Sequence, residues 1–121
     1  MPVRLRRADS ATVAEALAVP ADRRSPTQLR LLTKHFLAVL TERAPGGSVE
    51  VRVPPYAAAQ VIPGVRHTRG TPPAVVELDA PTWLALVTGD LTWAEAEATG
   101  RVRASGERAD LSPYLPLDPR G

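Results

Sequence analysis

Apolar residues along this chain switch between two periods, and the switches mark its elements. After Ser25, positions Leu29, Leu32, Phe36, Val39 and Leu40 recur at helical spacing. Ser25, Pro26 and Gln28 stand ahead of them as N-cap, N1 and N3, a capping box with a preset φ. Pro45-Gly46-Gly47 stops the run. The pattern predicts a helix over 26–44. Leu31 falls on its opposite face near His35, either exposed or covered by another element. The period then drops to two. Val49, Val51 and Val53 alternate with Glu50 and Arg52, which predicts a half-buried strand over 48–53. Pro54-Pro55 stops it, and a second strand is expected over 56–62, turned by Pro63-Gly64. Residues 65–71 read as a third short strand or as extended loop, broken by Pro72-Pro73. A compact strand, A-V-V-E-L, follows over 74–78.

The C-terminal part is punctuated by glycine. Asp79 caps a helix over 80–88 with Pro81 in its first turn, and Gly89 takes the position just past its end. Thr92 and Glu95 form a second capping box for a helix over 93–99, which Gly100 ends. A strand over 101–105 turns at Gly106. Residues 109–117 read as a short helix or turn leading to a proline-limited tail. At the other end, S-A-T-V-A-E-A-L-A at 10–18 predicts a short helix capped by Asp9 or Ser10, with Arg4, Arg6, Arg7, Arg23 and Arg24 around it. Pro20 and Pro26 make the following stretch a linker. The sum is an N-terminal extension over 1–24 and an α+β domain over 25–121. That domain is expected to hold a single mixed or antiparallel β-sheet covered by helices.

Composition narrows the function classes. A chain of 121 residues makes one domain that buries about 65% of its unfolded surface. With no cysteine, disulfides, thiol catalysis and thiolate metal sites are excluded, and a reducing cytoplasm is the expected setting. The start, M-P-V-R-L-R-R, has no apolar run behind it and does not read as a signal peptide. No stretch approaches the roughly 18 apolar residues of a membrane span. Net charge is +2, and fourteen of the fifteen cations are arginine. With abundant alanine, proline and glycine, this reads as the codon bias of a GC-rich bacterial genome. Nucleic-acid binding is not expected, because five aromatics offer few stacking platforms.

Candidate chemistry is sparse. R-H-T-R-G-T-P-P at 66–73 brings Arg66, His67 and Arg69 together beside Gly70. Two guanidiniums and an imidazole suit a carboxylate or phosphate; alternatively the arginines pair with Glu50, Glu77 or Asp79 on the surface. In an extended segment, Arg66 and Thr68 share one face, His67 and Arg69 the other. His35 and His67 are the only histidines and lack metal-ligand spacing, so no metal or cofactor is expected. No serine sits in a G-x-S-x-G setting, and Glu95 and Glu97 point to opposite faces of their helix. Enzymatic activity is therefore not expected. The aromatics Phe36, Tyr56, Trp83, Trp93 and Tyr114 are either core or the lining of a cavity that a hydrophobic ligand would fill.

V-V-E-L-D-A-P-T-W-L-A-L-V-T-G-D-L-T-W-A-E-A-E-A-T-G-R-V-R-A-S-G at 75–106 resembles the C-terminal half of sterol-carrier-protein-2-like domains. There a helix ends in Gly-x-Leu, a short helix follows, and Gly-x-(Val/Leu)-x-(Ile/Ala)-x-Gly leads onward. With V-E-V-R-V-P-P-Y at 49–56, R-H-T-R-G-T-P-P and A-S-G-E-R-A-D-L at 104–111, the chain is most similar to short actinobacterial sterol-carrier proteins. The resemblance spans about 25–117. It implies a sheet covered by helices around an apolar pocket for a sterol, fatty acid or acyl-CoA. Pro54-Pro55 abbreviates the first hairpin and points to a smaller pocket.

The resemblance thus implies a cytoplasmic, non-enzymatic carrier for a hydrophobic or amphipathic small molecule. The walls expected are Phe36, Leu40, Tyr56, Trp83, Leu84, Trp93, Leu111 and Tyr114. Arg66, His67 and Arg69 are expected at the ligand's acidic end. A rival expectation is a protein-interaction module. A further one is an accessory domain for an enzyme of the mycothiol-dependent isomerase type, whose relatives carry a similar C-terminal segment. Those enzymes hold their metal-binding histidines in a separate helical domain without counterpart here.

Overall fold

The computed structural model describes residues 5–64, 74–106 and 109–118. Helix α1 (Ser10–Ala18) is capped by Asp9, whose carboxylate accepts from the Thr12 N–H. Helix α2 (Pro26–Arg43) starts in the expected capping box, with Ser25 and Gln28 bonding each other's backbone. Strands β1 (Val49–Val53) and β2 (Ala57–Val61) form an antiparallel hairpin turned at Pro54–Tyr56. Strand β3 (Ala74–Leu78) pairs parallel to β1. Helices α3 (Ala80–Thr88) and α4 (Trp93–Ala98) follow, and β4 (Val102–Ser105) returns antiparallel to β3. A single 3-10 turn at Ser112–Tyr114 is what 109–117 contributes. The sequence-expected strand or loop at 65–71 lies outside the described residues.

The sheet runs β2-β1-β3-β4 and is mixed. In a mixed sheet with one covered face, alternation assigns each residue a side. Val49, Val51, Val53, Val61, Ala74, Val76 and Leu78 face the helices and are buried. The opposite face carries Glu50, Arg52, Ala58, Gln60, Glu77 and Arg103. Arg52, Glu77 and Arg103 stand in register across three strands, so neighbouring charges alternate in sign. That face needs no cover.

Why α2 packs where it does follows from its stripe. Leu32, Phe36, Leu37 and Leu40 are all buried against sheet and α3. Helix α3 adds Trp83, Leu84, Leu86 and Val87, and ends at Gly89 in the left-handed conformation, φ +86°. Helix α1 is not a loose appendage: Val13, Ala16 and Leu17 join the same core. Leu31 is half-buried against that core rather than free.

One knot fixes α2 to the sheet edge. The Ile62 N–H donates to Ala44 O at 2.7 Å, and Ile62 O accepts from Ser48 N–H and Ser48 Oγ. These bonds hold Ile62 at φ +72°, a conformation a β-branched residue adopts only under constraint. Gly46 passes so close that a Cβ there would sit 2.2 Å from Ile62 O. The knot sets the spacing between the C-terminal end of α2 and β2.

Candidate functional site

Strand β2 is a sheet edge, and its sequence, A-A-A-Q-V, is poor in the branched residues that fill space beside a strand. Opposite it, α2 carries a second stripe besides the core one. Ala38, Thr41 and Glu42 lie at i, i+3 and i+4, with Pro45 just past the helix end, and all are small or polar. Two walls of small or polar residues facing each other leave a gap. The gap is a groove of about 1100 Å³, lined by these four residues and by Glu50, Ala58, Ala59 and Gln60 of the sheet. Glu50, Ala58 and Gln60 belong to the open face and Ala59 to the covered one, so the groove wraps around the edge that β2 forms among the described strands.

The third wall is the strap that precedes α1, through Leu5, Arg6 and Arg7. Two contacts hold it on α2. The Ala8 N–H donates to His35 Nδ1 at 2.9 Å, and Arg7 Nε donates to the Glu42 carboxylate. His35 also meets the ring of Phe36 edge-on, centroids 4.8 Å apart. A nitrogen that accepts from an amide must be unprotonated, so the imidazole here is neutral with its proton on Nε2. Burial pushes the His35 pKa below its ordinary 6.5, and the nearby Arg7 pushes the same way; Asp118 and Glu42 pull weakly against them. Among the described residues Arg6 has no ion-pair partner, which leaves one cation uncommitted on the groove.

The sequence-expected site divides differently. Phe36, Leu40, Trp83, Leu84, Trp93 and Leu111 stand together in the buried core. Tyr56 and Tyr114 are half-buried and pack against it. The groove is lined by a different set. Arg66, His67 and Arg69 lie outside the described residues. Two polar atoms within the core, Trp83 Nε1 and Thr33 Oγ1, are buried with no hydrogen-bond partner among the described residues. A hollow of about 470 Å³ on the open face is bordered by Arg52, Glu77 and Arg103, with Glu77 between the two arginines in register. No group of three metal-ligating side chains exists among the described residues. Nor is any described helix long and apolar enough to cross a membrane.

Sequence reasoning passed over the groove because small side chains give no apolar signal. The A-A-A run at 57–59 was the available hint, since a strand without bulk leaves room beside it.

The family model described as bacterial SCP ortholog matches residues 23–117. No curated protein matches the chain. The chain belongs to this family of bacterial sterol carrier protein (SCP) orthologs, and the match begins after the strap and α1.

Proposed function

We propose that this family member is a non-enzymatic carrier of an amphipathic small molecule, with a lipid or acyl chain as cargo. Its ligand space is the groove between the strap, α2 and β2. The observation that carries the reading is the groove itself. At about 1100 Å³ it slightly exceeds the roughly 300–1,000 Å³ usual for small-molecule sites. Its alanines offer an apolar trough for a chain, and Arg6 offers a charged anchor for an acidic end. The sequence-based anchor, Arg66 and Arg69 with His67, remains the alternative position for that end. The core residues from Phe36 to Tyr114 would then back the groove and hold its walls at fixed spacing. A cytoplasmic setting goes with this reading.

A second reading rests on the same edge. Strand β2 carries no charged residue and no proline, the devices that usually protect an edge. An extended segment of a partner protein would add there as a fifth strand.

Native mass spectrometry of the purified protein with a long-chain fatty acid separates the two. A 1:1 complex is expected, weakened at least tenfold by Ala58→Trp and by Arg6→Glu. If Arg66→Ala or Arg69→Ala weakens it instead and Arg6→Glu does not, the acidic end sits at the sequence-based anchor. No uptake of fatty acid, acyl-CoA or sterol contradicts the carrier reading and favours the partner strand.

A further inference from the structure

The strap is fastened to α2 at two points. Ala8 N–H is held by the lone pair of His35 Nδ1, and Arg7 is held by Glu42, which lies two helical turns from His35 on α2. We propose that the strap is a proton-operated latch: protonation of His35 frees residues 5–8 and opens one wall of the groove. The inference rests on the carrier reading for its purpose, though not for its mechanics.

The chemistry follows from the bond itself. A proton on Nδ1 turns the acceptor into a donor facing another donor, so the bond from Ala8 is lost. The charged groups around the imidazole come from three elements. Arg7 of the strap repels an imidazolium, while Glu42 of α2 and Asp118 of the C-terminal tail attract it. Asp118 is positioned by its own N–H, which donates to Val87 O at 2.9 Å. A charged His35 repels Arg7, the largest charge influence on the ring, so the second fastening weakens as the first is lost.

The sign is set by the direction of the His35 shift. The closed strap favours the neutral ring, so its folded-state pKa lies below 6.5. The latch is engaged above pH 6.5 and is lost as pH falls through that lowered value. Opening has a natural hinge: Asp9 caps α1, and Val13, Ala16 and Leu17 keep that helix in the core. The strap precedes residue 23, where the family match begins, while His35 and Glu42 lie within the matched residues.

The test follows the full-length protein by NMR from pH 8 to 4.5. It reads the His35 ring and the hydrogen-exchange protection of the Ala8 amide. Entry of an uncharged fluorescent long-chain alcohol is measured in parallel, so that ionisation of the probe plays no part. Ala8 protection should fall at least tenfold in step with His35 protonation, and probe entry should speed up with it. In His35→Gln, whose side chain does not titrate, both should be flat across that range. The wild-type titration decides on its own if that variant proves unstable. A His35 still neutral at pH 4.5, or a protonated one beside a still-protected Ala8, overturns the latch. A latch that opens while neither the alcohol nor a long-chain fatty acid ever binds supports the mechanism and removes the carrier reading.

Discussion

Helix α2 has two flanks that share a backbone and differ in almost nothing but side-chain size and polarity. On one, Leu32, Phe36, Leu37 and Leu40 interlock with the sheet and α3, and each is at most 3% exposed. On the other, Ala38, Thr41 and Glu42, with Pro45 just past the helix end, line a groove of about 1100 Å³. The first flank supplies stability, because tightly packed apolar atoms give up water and gain contacts. The second gives up that gain and keeps an open space in return. A protein can therefore place a binding wall and a core on one helix by choosing what to put at each stripe.

Substitutions on the two flanks should separate stability from binding. Trp83→Ala lies wholly on the core side, where the indole is fully buried, and should cost about 3–5 kcal/mol. Urea denaturation checks it, and binding should be lost only as far as the fold is. Gly46→Ala strikes the knot that spaces the two flanks. Its Cβ would meet backbone that cannot move aside, so a loss of about 1–3 kcal/mol is expected from thermal unfolding. Ala58→Trp belongs to the groove side, on the exposed face of β2. It should change stability by less than about 0.5 kcal/mol, yet lower fatty-acid affinity at least tenfold, or about 1.4 kcal/mol. Thr33→Val is the mildest. It removes a buried hydroxyl that has no partner among the described residues and keeps the shape, so the protein should be unchanged or up to about 1 kcal/mol more stable. A clear destabilisation there would mean that the hydroxyl is in use.

The core flank was legible in the sequence and the groove flank was not. Caps and glycines located the helices: α1 and α3 span the expected 10–18 and 80–88, and β3 the expected 74–78. Alternation of Val49, Val51 and Val53 named the covered face of β1. Strand order was not readable, because the parallel pairing of β1 with β3 joins residues about 25 apart through a segment that carries no pairing signal. The groove was hidden for a related reason. Its walls come from Leu5–Arg7, 38–45 and 58–60, and what defines them is an absence of bulk. His35 showed no metal spacing and so carried no chemical signal by itself; its role appears only once folding brings Ala8, 27 positions away, against Nδ1.

The most direct test of the central claim is a two-dimensional NMR titration of the assigned protein with a long-chain fatty acid at pH 7.5. Shifts concentrated at Arg6, Ala38, Thr41, Ala58, Ala59 and Gln60, with Trp83, Trp93 and Leu111 left in place, are the predicted result. Shifts centred on the tryptophans and Leu111, or no shifts at all, would contradict it.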